Sequence, residues 1–341
     1  MGHKSSFVSF SSSFYYGVIG AITLAVLIAI PLYGNNYMTH VVLEMIFLAY
    51  LAQSWNIFSG STGELSFGHA AFFGVGAYTS SILLVRWGIS PWFGMLAGGC
   101  ISSALGVGIG VISLRYRVKG VFFALGTLAV AEVMRLLALL WDPVTNGARG
   151  ILLPWAGESF GMFAFGVDKK YLYYYVILAM LVLCTFIAYR IKRVRLGYYL
   201  AAIRGNEDAA EMLGISSLKY QTIAMAISTF LAALGGTFYA QYYQHFEPDV
   251  VFGPMRSFEF IFPVVLGGGG AIPGPIIGAF VLQGFEELTR TIIPSYLHGF
   301  HRMIYGLLLM AMIMYLPGGI VSLIEKKIDK IVSRYKIRTG G

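Results

Sequence analysis

Long apolar stretches separated by short polar segments run along the whole chain. A transmembrane helix needs roughly 20 mostly apolar residues, and stretches of that length recur from one end of the sequence to the other. The predicted spans are residues 15–33, 40–58, 68–85, 92–113, 120–141, 171–190, 220–244 and 301–317. The pattern predicts an all-α, polytopic membrane protein with about eight transmembrane helices.

Two Gly-rich segments interrupt this pattern. Residues 259–289 contain Pro263, glycines at 267–270, Pro273 and Pro275, and both residue types disfavour a helix interior. The run "SGSTGELSFGHAAFFGVGAY" at 59–78 is a similar break in the first half. Non-helical backbone at membrane depth survives only where protein buries it or water lines it.

Interrupted segments in related halves are typical of transporters whose pathway lies between the halves. We therefore expect the translocation path to include Gly60, Gly63, Glu64, Ser66, Gly68, His69, Gly267, Gly268, Gly269, Gly270 and Gly274. The alternative is that these glycines allow close helix packing.

Basic loops indicate the sidedness of the chain. Residues 114–120, 190–197 and 325–338 are rich in Lys and Arg, which predicts a cytoplasmic location for all three. The segment 142–170 balances acids and bases and fits the outside. With the tail inside, the region 259–289 has to enter and leave on one face, as a broken hairpin.

The domain organisation follows from these spans. We expect a cytoplasmic segment at 1–14, one transmembrane domain at 15–320 with a cytoplasmic loop at 191–219, and a basic cytoplasmic tail at 321–341. The first span is interpreted as a retained helix, since no cleavage pattern follows it. The location is a plasma membrane, the inner membrane in bacteria.

Composition excludes several classes of function. The chain is 57% hydrophobic and 12% charged, which leaves no stretch for a soluble enzyme domain. The net charge of +8 follows from the topology-setting loops, so nucleic acid is not an expected partner, whereas membrane lipid is. Cys100 and Cys184 lie in apolar segments and are interpreted as packing residues, so neither a metal site nor a disulfide framework is predicted.

Catalytic motifs are also missing from the sequence. No phosphate-binding G-x-x-x-x-G-K-[ST] pattern and no catalytic constellation occur, so we predict neither an enzyme nor a cofactor. Glu132 and Arg135 share a helix face and are expected to pair, and Glu286 with Arg290 is expected to anchor a helix end. His69 is open to a functional or a structural interpretation.

The segment 191–219 contains the run "NEDAAEMLGI". This run predicts a short helix capped by Asn206, with acids in its first turn and Gly214 as its stop. A helix this short is marginal in water, so it needs a surface to dock on. We expect that surface to belong to another protein.

Five motifs together resemble one transporter family. They are "GELSFGHAAFFGVGAY", "GVFFALGTLAVAEVMR", "AAIRGNEDAAEMLGI", "VVLGGGGAIPGPIIGA" and "LPGGIVSL". Their order and spacing resemble the M-type permease of branched-chain amino acid (LIV-type) ABC importers over roughly residues 40–325. Gly205 and Glu64 depart from the family pattern, where an acid and a Gln are common.

The resemblance implies a function and a set of partners. The chain would form half of the translocation pathway of an ATP-driven importer for leucine, isoleucine and valine. Its partners would be a second homologous permease, two cytoplasmic ABC ATPase subunits and an extracytoplasmic solute-binding protein. The residues implied in ATPase coupling are Arg204, Asn206, Glu207, Asp208, Ala209, Ala210 and Gly214. Two alternatives stay open: a permease for urea, short amides or another amino acid, and an ion-coupled secondary transporter.

Overall fold

The computed structural model describes residues 23–32, 35–153 and 170–292, together with positions 306, 307, 310, 314 and 318–323. The described chain is dominated by helices. In chain order they are α1 (Thr23–Leu32), α2 (Asn36–Trp55), α3 (His69–Trp87), α4 (Pro91–Arg115), α5 (Val121–Leu140), α6 (Asp142–Thr145), α7 (Lys170–Arg193), α8 (Arg195–Gly205), α9 (Glu207–Met212), α10 (Ser217–Tyr243), α11 (Pro248–Phe252), α12 (Pro254–Gly267) and α13 (Gly274–Ile292). Two short strands, β1 (Ile151–Leu152) and β2 (His245–Phe246), form an antiparallel pair.

Among the described residues, seven helical segments are long and apolar enough to cross a membrane. They are α2 with the π-helical turn Asn56–Gly60, α3, α4, α5, α7, α10, and α11 together with α12. The first six coincide with predicted spans to within a few residues. The predicted span 15–33 is described only as α1, and 301–317 lies almost entirely outside the described residues. The all-α, polytopic fold class is confirmed.

Helix α10 lies at the centre of the bundle, where it packs against α3 and α4. Buried aromatic rings fill the space between α2, α3 and α10: the ring of Phe47 lies 5.7 Å from that of Phe238 and 6.3 Å from that of Phe73. Hydroxyl groups join the backbones, and Ser102 of α4 donates to the carbonyl of Thr229 at 3.1 Å. The core is therefore apolar, with isolated polar contacts between helices.

Helices α12 and α13 form the hairpin expected for residues 259–289. Gly267 lies against Gly274, and Pro263 lies against Gly278, so the two helices run antiparallel. Gly268 and Gly270 have φ values of +112° and +84° in the turn that joins them. The sequence had suggested Pro263 as part of the break, but this proline lies inside α12. The hairpin therefore begins and ends on one side of the bundle.

Four connections gather at one end of the bundle, called here the basic end. They are residues 61–68, 116–120, 194–216 and 268–273. Glu64 contacts Gly120, and Lys119 contacts Glu207. Gly270 of the fourth connection binds Asn56, next to the first connection. Two of the three basic loops lie here, and the third, 325–338, is outside the described residues. The β1–β2 pair and α11 lie at the opposite end.

Candidate functional site

Helix α9 has the boundaries predicted from the sequence. The side chain of Asn206 accepts a hydrogen bond from the Ala209 N–H at 3.0 Å, which caps the first turn. The helix stops at Gly214, whose φ of +83° belongs to the left-handed region that favours glycine. The N–H of Ile215 then returns to the Ala210 carbonyl at 3.0 Å. Local sequence is therefore enough to define this helix.

The chain itself supplies a docking surface for α9. Lys119 pairs with Glu207 at 2.5 Å, and Arg117 lies 3.7 Å from Asp208 and 3.1 Å from Glu211. The hydrogen bond that Lys119 donates to Glu207 raises the pKa of Lys119 above its usual value, so this ammonium group stays charged at neutral pH. The ion pairs tie α9 to the loop that leads into α5.

Ala210 differs from its neighbours on α9 in its exposure. It is 2% exposed and is covered by this chain itself, while its implied part in ATPase coupling stays a prediction. The surface of α9 turned to water consists of Asp208, Ala209, Glu211 and the residues that follow. Met212 and Leu213 are 90% and 81% exposed. This apolar pair protrudes from an otherwise polar loop.

Arg204 joins the connection 194–216 to the end of α2. Its Nη1 donates to the Gly60 carbonyl at 2.6 Å, and its aliphatic stem packs against Gly63. Gly60 closes the π-helical turn that ends α2, a feature often found at functional sites. Arg204 is exposed, but its side chain therefore lies against the first Gly-rich segment.

The two Gly-rich segments meet through Asn56. Its side-chain oxygen accepts from the Gly270 N–H at 2.8 Å, and its side-chain nitrogen donates to the Ala271 carbonyl at 3.0 Å. Lys192 also donates to the Gly270 carbonyl. The two breaks were expected to border one path. Asn56 was missed, although an amide in the last turn of an apolar span was a signal for this role.

Several glycines of the breaks mark close contacts and leave no open space. A methyl group added to Gly60 would lie 1.9 Å from Asn56 Oδ1, one at Gly68 would lie 2.4 Å from the Thr127 carbonyl oxygen, and one at Gly267 would lie 1.7 Å from the Gly274 carbonyl oxygen. These distances favour the packing interpretation for Gly60, Gly68, Gly267 and Gly274. Gly269 differs, because it is exposed and its nearest neighbour would be 3.5 Å away.

Glu64, Ser66 and His69 separate into two environments. Glu64 lies at the surface of the basic end and accepts from the Gly120 N–H at 2.8 Å. His69 is fully buried, with Nδ1 2.9 Å from Ser66 and Nε2 2.9 Å from Ser228. Ser228 in turn donates to the Ser54 carbonyl. This geometry favours a structural role for His69, as the residue that joins α2, α3 and α10.

The intramembrane ion pair on α5 is present and has a third member. Arg135 binds Glu132 through two hydrogen bonds of 2.9 and 2.5 Å, and it also binds Asp249 of α11 at 2.5 Å. At the end of α13, Glu286 pairs with Arg290 at 3.3 Å, as expected.

The two cysteines have different surroundings. Cys184 is buried, which agrees with a packing role, whereas Cys100 is exposed on α4. The packing interpretation therefore needs correction for Cys100.

A second polar cluster, missed in the sequence, lies between α2, α10 and α12. Arg256 is 8% exposed, pairs with Glu259 at 2.5 Å and places its guanidinium 4.5 Å from the ring centre of Tyr239. Tyr243 donates to Glu44 at 2.5 Å. Charged residues inside apolar spans were the signal that could have found this cluster.

Comparison with known proteins identifies the family. Residues 37–316 match the family described as branched-chain amino acid transport system / permease component. The chain belongs to this family. It is therefore a transporter permease component, and the resemblance noted in the sequence is confirmed.

Individual relatives of this permease carry names from two kinds of transport system. It is 29% identical over 286 residues to the high-affinity branched-chain amino acid transport system permease protein LivM of Salmonella typhimurium, covering 78% of this chain and 65% of LivM. It is 26% identical over 297 residues to LivH of Escherichia coli K12, covering 83% and 93% of the two chains.

The ribose import permease protein RbsC of Escherichia coli K12 is 26% identical over 213 residues, covering 61% of this chain and 63% of RbsC. The matched part of the permease thus spans about two thirds of the length of Salmonella LivM. No solved structure matches the sequence.

Proposed function

We propose that this permease is one of two membrane subunits of an ATP-driven importer for leucine, isoleucine and valine in the bacterial inner membrane. Its partners are a homologous second permease, two cytoplasmic ATPase subunits and an extracytoplasmic solute-binding protein. The basic end and both termini face the cytoplasm, in keeping with the positive-inside rule. The family match and the names of LivM and LivH support the cargo.

Helix α9 is the observation that carries the proposal. It is six residues long, ion pairs hold one side of it on the permease, and its end presents Met212 and Leu213 to water. Exposed apolar residues on a polar surface mark a protein-binding site. In this proposal the ATPase subunit receives Met212 and Leu213, and ATP-driven motion of the ATPase moves α9.

Two contacts carry that motion into the bundle. The Lys119–Glu207 ion pair connects α9 to the start of α5, and Arg204 connects the same segment to Gly60 at the end of α2. Asn56 extends the second connection to the α12–α13 hairpin. In this proposal the hairpin and the end of α2 shift together when the ATPases close.

Co-purification and uptake test the proposal. The permease is co-expressed with its second permease, ATPases and binding protein, and Met212→Ser with Leu213→Ser is compared with Trp87→Ser. Trp87 is 67% exposed at the C-terminal end of α3, far from α9. Trp87→Ser therefore removes exposed apolar surface at a place that the ATPase subunits are not expected to contact. We expect the double variant to lose the ATPase subunits and ATP-dependent uptake, and Trp87→Ser to keep both.

The cargo is tested in vesicles that contain the unmodified importer. Leucine, isoleucine and valine are compared with urea, a short amide and ribose. Preferential uptake of one of the last three would reject branched-chain amino acids as the cargo. Uptake driven by an ion gradient in vesicles without ATPase subunits would instead support a secondary transporter.

A further inference from the structure

Helix α5 exposes charge at a depth where lipid would not tolerate it. The side chains of Glu132 and Arg135 are 44% and 23% exposed, although both lie inside the span Val121–Leu140. At 1.5 Å per residue, Glu132 is about 12 Å from the end of α5 at Leu140. Charged side chains inside transmembrane segments face the interior of a bundle or a water-filled cavity. This face of α5 therefore borders water or protein in the assembled importer.

A cleft opens beside this charge, between α5 and the junction of α11 with α12. Its volume is about 350 Å³, at the lower end of the range for small-molecule sites, roughly 300–1,000 Å³. Its walls are apolar apart from Glu132, and they consist of Leu125, Leu128, Ala129, Ala131, Phe252 and Pro254. An aliphatic group fits these walls, and a cationic group fits the carboxylate at their edge.

The net charge of the cluster also fits a ligand with a cationic group. Glu132, Arg135 and Asp249 comprise two carboxylates and one guanidinium, a net charge of −1. Arg135 uses Nη1 for Asp249 and the Nε–Nη2 edge for Glu132. Arg135 can therefore exchange Glu132 for the carboxylate of a ligand while Asp249 continues to hold it. The released Glu132 is then free to bind an ammonium group.

We propose that this cleft is a substrate subsite on the translocation route that takes a small zwitterion with an aliphatic side chain. Glu132 binds the α-ammonium, Arg135 binds the α-carboxylate, and Leu125, Leu128 and Phe252 contact the side chain. Asp249 is a positioning residue that keeps Arg135 in place. The inference rests on the proposed import function, and it adds residues that contact the substrate, which the connection 194–216 does not provide.

Thiol labelling tests whether the cleft is lined by water. Ala129→Cys is made together with Cys100→Ser and compared, in the complete importer, with the native Cys100, which is exposed on α4. A thiol reacts as its thiolate, and apolar surroundings raise the pKa of the thiol and so disfavour the thiolate. We expect Cys at 129 to react with a water-soluble thiol reagent at least about tenfold faster than Cys100, and we expect leucine to slow that reaction. Labelling at 129 that is no faster than at Cys100, or that leucine does not slow, would overturn the proposal.

Side-chain selectivity gives a readout that a structural defect would not change. Ala129→Phe narrows the cleft, so uptake of leucine is expected to fall relative to valine by about threefold or more, because one methylene is worth up to roughly 10–200-fold in a fitted pocket. Glu132→Gln is expected to lower uptake of both about tenfold while the ATPases still co-purify; Glu286→Gln, which alters an ion pair elsewhere, is the control.

Different results would reject the import function and the subsite. An unmodified importer that does not take up branched-chain amino acids would reject the proposed function. An unmodified importer that takes them up, with an unchanged leucine-to-valine ratio in Ala129→Phe and unchanged uptake in Glu132→Gln, would reject only the subsite.

Discussion

The stability of the bundle is expected to depend on Asn56, because this one buried side chain joins the end of α2 to the turn of the hairpin. Asn56 is 3% exposed and makes two hydrogen bonds to the hairpin turn, to Gly270 and Ala271. Each hydrogen bond contributes about 0.5–1.5 kcal/mol to stability, so Asn56→Ala is expected to lower the free energy of unfolding by about 1–3 kcal/mol. We also expect less substrate to be imported per ATP hydrolysed, because the hairpin is no longer held to α2.

A second substitution shows whether the same contact is responsible. A methyl group at Gly60 would lie 1.9 Å from Asn56 Oδ1 and 2.9 Å from the Gly270 nitrogen, so Gly60→Ala is expected to destabilise by about 1–3 kcal/mol through overpacking. In the Asn56→Ala background the tighter of these two contacts no longer exists. The cost of Gly60→Ala should therefore be smaller there, by at least about 0.5 kcal/mol.

Unfolding of the purified complex, followed by tryptophan fluorescence, provides the measurement, since Trp55 is buried next to Asn56. Ser61→Ala is the control, because Ser61 makes only a 3.5 Å contact to the Asn56 carbonyl. Additive effects of Asn56→Ala and Gly60→Ala, or an Asn56→Ala variant as stable as Ser61→Ala, would refute the reasoning.

Three further predictions concern coupling, topology and energy supply. Lys119→Glu removes an ion pair worth about 0.2–1 kcal/mol and should weaken stimulation of the ATPases by the loaded binding protein. Adding Glu207→Lys restores the pair with the charges exchanged and should restore the stimulation. No recovery in this double variant would contradict the role of the contact. Single cysteines at Met255 and Thr291, both exposed at the two ends of the hairpin, should label from outside, and one at Gly269 in the turn should label from inside; labelling of all three from one side would rule out this orientation. The purified chain alone should hydrolyse no ATP, since its sequence has no phosphate-binding loop, and turnover in a preparation shown to lack ATPase subunits would contradict this.

Periodicity and breaker residues predict most of the fold because lipid leaves the backbone few options. Long apolar runs must be helical, which explains why α3, α4 and α10 were predicted to within a few residues. The turn of the hairpin was also predictable, since the run of glycines that ends at Gly270 and the following Pro273 disfavour a helix. Pro263 shows the limit of this reasoning, because α12 tolerates a proline in its interior.

The candidate site was less predictable, because its contacts join residues far apart in the sequence. The caps of α9 are local and were predicted from Asn206 and Gly214. The burial of Ala210 and the contact of Asn56 with Gly270 depend on how distant segments pack, which periodicity does not encode. The glycines left two interpretations open for a related reason: their sequence pattern is the same whether they border an open path or a close backbone contact.

The hydrogen bond between His69 and Ser228 also has a consequence for biogenesis. The two residues are 159 positions apart, so α3 enters the membrane long before its partner on α10 has been synthesised. At roughly 5–20 residues per second, the wait is about 8–32 s. During that time Nδ1 of His69 can bind Ser66, but Nε2 lacks its partner, and an unpaired polar group in hydrocarbon costs free energy. We therefore expect α3 and α4 to be shielded from lipid until α10 arrives, so the central helix joins the bundle after α2, α3 and α4 and before α12 and α13.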